Sequence, residues 1–156
     1  MKAFRFRLES LLNLRTLHRE RRLKEYAHAI NERQREEELF GVLSARLTKI
    51  EIDIAERRAQ GISGHDQDIF LASIDHAKAA LDRQREVIRT ALSEEEHKKA
   101  SYIEADIAEK TLLRLKERRN EEHLREQESK EERALEDVIG ARYGITLPTE
   151  LYHETA

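Results

Sequence analysis

The chain has 156 residues, of which 39% are charged and only 5% aromatic; Trp and Cys are absent, and the net charge is −3. Without Cys there is no disulfide and no thiolate metal site, and so few large apolar side chains cannot fill a compact globular core. The abundance of Ala, Glu, Lys, Leu and Arg is the composition of long helices and coiled coils, and apolar residues recurring at helical spacing under a nearly balanced charge distinguish it from a disordered chain.

The only proline is Pro148, and from about residue 7 to 142 the helical pattern is interrupted only at Gly61 and Gly64, with Gly41 sitting inside it. No apolar run approaches the roughly 18 residues needed to span a membrane. Residues 1–22 are basic and amphipathic, as in a mitochondrial presequence or a membrane-surface helix. Their pattern continues into the main helix without a cleavage-like break, which argues against a removable segment.

In the first predicted helix, about 7–59, Leu8, Leu11, Leu12 and Leu14 open an apolar stripe that passes through Leu23, Tyr26 and Ile30. It fades over residues 31–38 and resumes at Phe40, Leu43, Leu47, Ile50 and Ile54 in steps of three and four, the spacing of a coiled-coil seam. Heptads counted from Leu23 keep Phe40 in phase and leave Leu43 out, which predicts a phase slip over residues 37–43. The turn is expected at about 60–65. Gly61 suits the left-handed residue that ends a helix, and Ser63 or Asp66 can cap the next one.

The second predicted helix, about 66–142, holds one frame through Phe70, Ile74, Ala77, Leu81, Gln84, Ile88 and Ala91, and then through Glu95, Lys98, Tyr102, Ala105 and Leu112. Gly140 and Gly144 mark its expected end, and residues 143–156 read as a loose tail. At 1.5 Å per residue the helices would run about 78 and about 115 Å. Folding at the glycines sets Leu8 opposite about residue 118 and leaves the end of the second helix without a partner in cis. The fold class is therefore an all-α, antiparallel two-helix coiled-coil hairpin over 1–142, its second helix the longer. Residues 1–35 carry ten Lys/Arg against four Glu, and 101–142 carry nine Lys/Arg against twelve Asp/Glu, so the two ends attract each other within the hairpin.

The inventory for catalysis is poor. The seven histidines form neither a His-Glu-x-x-His site nor a cluster with Cys. Glu94-Glu95-Glu96-His97 has metal-ligand composition, but consecutive residues point to different sides of a helix, so a solvated face is expected. Gly61-Ile62-Ser63-Gly64 lacks the Lys of a phosphate loop. Exposed carboxylates on a rod lack the enclosure that tunes acid–base chemistry, so no enzyme, no metal and no cofactor is expected. Arg15, Arg19, Arg21, Arg22 and Lys24 form a basic cluster, but it is interleaved with leucines and glutamates, and the pI is near 6.2. That is sparser than a DNA-reading basic region.

One motif is more specific than composition. Phe4-Arg5-Phe6-Arg7-Leu8-Glu9-Ser10-Leu11-Leu12-Asn13-Leu14-Arg15 begins with two-residue alternation and switches to helical spacing; with no second strand to pair it, the opening reads as helix, a hydrophobic staple being the plainest role. This opening resembles the start of FliJ-family proteins of the flagellar type III export apparatus. Leu113-Arg114-Leu115-Lys116-Glu117-Arg118-Arg119 is similar to that family's Leu-Lys-x-Arg segment, and Leu135-Glu136-Asp137 stands where the family has Leu-Asp-Glu. The two-helix plan and the turn fit as well, so the resemblance covers about residues 4–142.

The resemblance implies a non-enzymatic cytoplasmic stalk, at the cytoplasmic face of the inner membrane when assembled. Its partners would be a hexameric export ATPase and an export-gate membrane protein, with export chaperones as a further class, and neither nucleic acid nor a small-molecule substrate. Phe4, Phe6, Leu8, Leu11, Leu12 and Arg15, with Leu115, Arg118 and Arg119, are expected to face the ATPase. Phe70 matches an aromatic of the family's gate contact, with Ala77, Ala80 and Gln84 adjoining; core packing is the competing account of these four. The equivalent stalk of a virulence-type injectisome is the nearest alternative. A self-associating structural coiled coil and a basic-helix nucleic-acid binder are readings of other classes, marked by concentration-dependent helicity and by steep salt dependence.

Overall fold

The computed structural model describes residues 3–144; the part of the expected loose tail from residue 145 on, with Pro148, lies outside them. Two helices account for nearly all of this, α1 over Glu9–Gln60 and the longer α2 over Gly64–Gly144, packed against each other, with no strand among the described residues. Both are free of proline, and their termini suit the helix dipole: Glu9 and Asp66 stand in the first turns, Arg57, Arg58 and Arg142 in the last. Residues 143 and 144 belong to α2 and not to the tail, and Gly140 does not end the helix. A single interior glycine costs only about 1 kcal/mol against Ala, too little to stop a helix of this length.

The connection is three residues long. Gly61 takes φ 92°, the left-handed conformation a glycine adopts without a Cβ clash, and its N–H reaches back to the Arg58 carbonyl at 3.2 Å. Ser63 caps α2: its Oγ accepts from Asp66 N–H at 3.2 Å and donates to Asp66 Oδ2 at 2.8 Å, and its carbonyl accepts from Gln67 N–H.

The chain divides into two compact units. In the larger, Leu14–Glu109, the helices run antiparallel: Thr16 meets Glu109, Tyr26 stacks on Tyr102 at 6.2 Å, Arg33 pairs with Glu95, Gln84 bonds Glu36, and Arg57 lies over Phe70. The α2 frame predicted from Phe70 to Ala105 is the observed seam, every member of it buried or half-buried. On α1 the slip predicted over 37–43 does not occur. Arg19, Tyr26, Arg33, Phe40, Leu47 and Ile54 fall seven residues apart and all turn inward, whereas Leu23, the residue counted from, is 40% exposed. Glu95 follows the α2 frame and turns onto Arg33, away from the solvated face expected for residues 94–97 as a group. Fully buried apolar residues here are few, two of them alanines: Ala29, Ile54, Leu81 and Ala105.

Glu25 sits among cations in this unit. A hydrogen bond from Arg22 holds its carboxyl below the ordinary 4.5, helped by Lys98 and Arg21. A depressed folded value means that the stabilisation is complete above the unfolded value and is lost as pH falls through the folded one. Glu25→Gln is therefore expected to narrow the drop in thermal midpoint between pH 7 and pH 3, read by circular dichroism. An unchanged drop would show that Glu25 contributes nothing to acid sensitivity.

The smaller unit comprises residues 3–13 and 110–144 as described. Residues 3–6 are not helical, and α1 opens only at Glu9, whose N–H bonds the Phe6 carbonyl at 3.2 Å. This corrects the helical reading of Phe4 and Phe6. In a helix, residues two apart project about 200° from each other; here Phe4 and Phe6 are both half-buried, while Arg5 and Arg7 are exposed. Leu12 is buried, and Lys116 Nζ grips Glu9 at 2.8 and 2.9 Å, close to the predicted offset of Leu8 opposite residue 118. From residue 131 to 144 every α2 residue is exposed, Leu135, Val138, Ile139 and Tyr143 among them.

Candidate functional site

The paired end of the smaller unit forms the larger of the two candidate surfaces. The non-helical segment brings Phe4 to 5.8 Å from the His123 ring of α2, the planes tilted at 44°. The resulting cleft, of about 700 Å³, is lined by Phe4, Phe6, Leu8, Leu115 and His123, and by the charged Arg5, Arg7, Arg119, Glu122 and Glu126. Arg119 also holds Glu122 at 3.0 Å. The cleft therefore joins apolar side chains to a mixed set of charges, three arginines and two glutamates.

Five of the nine residues expected to face the ATPase thus come together: Phe4, Phe6, Leu8, Leu115 and Arg119. Leu11 and Arg118 are exposed in the same unit, while Leu12 is turned inward at 5% exposure. Arg15 is exposed on α1 in the other unit. His123 went unnoticed in the sequence, although the signal was present. An offset that sets Leu8 against residue 118 sets Phe4 near residue 122.

The four residues expected at the gate contact lie in the larger unit and divide by environment. Ala77 and Ala80 line a shallow groove of about 180 Å³ with Leu43, Ile50 and His76. Phe70 lines a neighbouring one of about 170 Å³ with Ile54 and Arg57, whose guanidinium lies 5.7 Å from the ring centroid. Gln84 is in neither. It is buried in the seam, donating from Nε2 to the Glu36 carbonyl at 3.0 Å and to Glu36 Oε2 at 2.5 Å. Among the described residues no cluster of His, Asp or Glu could hold a metal ion, and no helix is long and apolar enough to cross a membrane.

The family model described as Flagellar FliJ protein matches residues 4–144 of the chain. The chain belongs to the FliJ family. That makes it a flagellar, export-related protein of a non-enzymatic family, and the match spans both helices and both candidate surfaces. Neither the curated proteins nor the solved structures yielded a match.

Proposed function

We propose that this FliJ-family chain is a non-enzymatic stalk that binds a hexameric flagellar export ATPase and a membrane export gate, supporting flagellum assembly and motility. The observation that carries the reading is the pairing of Phe4, Phe6 and Leu8 with Leu115 and Arg119 in one unit, because it unites the two end motifs of the family in a single surface. The ATPase binds there, through the exposed Leu8, Leu11, Arg118 and Arg119, while Leu12 holds the end together from inside. The gate protein binds the grooves beside Phe70, Ala77 and Ala80; Gln84 serves the seam. Assembled, the chain works at the cytoplasmic face of the inner membrane, with export chaperones as further partners. The flagellar description of the family supports this over the injectisome alternative.

The test is a binding titration of the full chain against the purified hexameric ATPase and, separately, against the cytoplasmic domain of the gate protein. Leu11→Asp with Arg118→Glu is expected to weaken ATPase binding roughly tenfold or more, as loss of an interface anchor does, with gate binding and helicity unchanged. Unaltered ATPase affinity would overturn the assignment of this end.

A further inference from the structure

The seam of the larger unit changes chemistry along its length. Near the connection, over residues 40–54 and 70–81, the inward positions are apolar, led by Phe40, Leu47, Ile54 and Leu81. Over residues 16–36 and 84–109 most positions in the same frames are polar or small, the exceptions being Ile88 and the stacked Tyr26 and Tyr102. Glu109 accepts from Thr16 Oγ1 at 2.7 Å and stands 2.6 Å from Arg19 Nε; Arg33 bonds Glu95; Lys98 lies 3.9 Å from Glu25; and Gln84 bonds Glu36. The buried apolar residues of this stretch are Ala29 and Ala105, which bring little surface out of water.

Three physical consequences follow. A pair of helices leaves both flanks of its seam open to solvent: Arg19 keeps 27% of its side chain exposed and Arg33 keeps 21%. Pairs that keep this much solvent contact still weaken with salt, though less than fully exposed ones, as the Debye length falls from about 10 Å at 0.1 M to about 3 Å at 1 M. The apolar stretch has no such weakness. The polar stretch also fixes register, since a slip of one heptad would set Arg33 against Ile88 or Tyr102 in place of Glu95 and strand the charge.

We infer that residues 16–36 and 84–109 form a salt-sensitive clasp, which opens and recloses in one register while the apolar stretch beside the Gly61–Ser63 connection stays paired. Opening separates the two helices without breaking their internal hydrogen bonds, so it costs far less than unfolding. The device gives the larger unit a parted form, controlled by ionic strength, that the uniform seam of a structural coiled coil would lack.

Because the sequence has no Cys, nitroxide labels can be placed at chosen sites of the full chain and their separations measured by double electron–electron resonance. One label pair, Asn31→Cys with Glu96→Cys, reports the polar stretch; another, Lys49→Cys with Asp75→Cys, the apolar one. All four positions are exposed. Between 50 mM and 1 M NaCl the long-distance population of the first pair is expected to rise roughly tenfold, the second staying narrow. Adding Arg33→Leu with Glu95→Leu is expected to suppress that rise, since apolar replacement of a paired charge is tolerated. Equal broadening of both label pairs, no broadening of either, or a rise undiminished by the leucine pair would each overturn the clasp.

Discussion

Ile54→Ala is expected to lower the stability of the chain by about 2–3 kcal/mol, seen as a fall in the urea midpoint followed by circular dichroism at 222 nm. Ile54 is 4% exposed and lies on the seven-residue row of α1 in the apolar stretch. Truncation there removes three buried carbons and leaves a space that only the facing helix can fill; the range for such changes in cores is about 2–5 kcal/mol. The lower part applies because a two-helix pair is thin and water reaches its flanks. Ile52, two residues away and 53% exposed, is the control: Ile52→Ala should change stability by no more than about 0.5 kcal/mol. Equal effects would mean that the apolar stretch does not anchor the pair.

The contrast matters because this architecture has so little else to rely on. Large apolar side chains are plentiful, yet many face outward, Leu17, Val42, Ile107 and Leu135 being more than half exposed. A pair of helices can cover only one stripe of each, whereas a bundle covers two or three. The stalk role proposed above would use that surface, since a protein that works by contact keeps apolar side chains available for partners.

How legible each feature was depended on whether the packing residue announced itself by hydrophobicity. The α2 frame was readable throughout, because Phe70, Ile74, Leu81, Ile88 and Leu112 anchor it and the polar members Gln84, Glu95 and Lys98 fall between them in step. On α1 the frame passes through Arg19, Arg33 and Glu36 with few apolar neighbours. Leu23 then becomes a false origin, and a continuous row reads as a slip. The turn was legible to within two residues, since Gly61 and Ser63 have conformational and capping roles independent of packing. At the candidate site, the alternation Phe4-Arg5-Phe6-Arg7 was visible, but its meaning as a segment laid against α2 needed a partner surface. That surface contains His123, a residue no local pattern singles out. The seam position of Gln84 was legible from its step in the α2 frame, but its bond to Glu36 was not, because nothing in the sequence names the partner of a seam amide.

Leu12→Asp is expected to have the larger consequence of two neighbouring changes, and the pair separates fold from binding. Among the described residues of the smaller unit Leu12 is the buried apolar one, at 5% exposure, whereas Leu11 beside it is 38% exposed. A carboxylate at position 12 would lie inside the pairing, where the nearby Lys116 is already committed to Glu9 at 2.8 Å. Burying an unpaired charge costs about 3 kcal/mol or more, enough to separate residues 3–13 from 110–126. Amide exchange over those residues should then rise by at least roughly a hundredfold, since each 1.4 kcal/mol is a factor of ten. Leu11→Asp meets water, so its exchange should match the parent chain. If the ATPase reads the outer surface of this end, Leu11→Asp weakens binding with the fold intact, and Leu12→Asp weakens it by removing the surface altogether. Exchange that stayed slow in Leu12→Asp would mean that Phe4 and the Glu9–Lys116 pair hold the end without Leu12, and the apolar contact would lose its place as the fastening of the two end motifs.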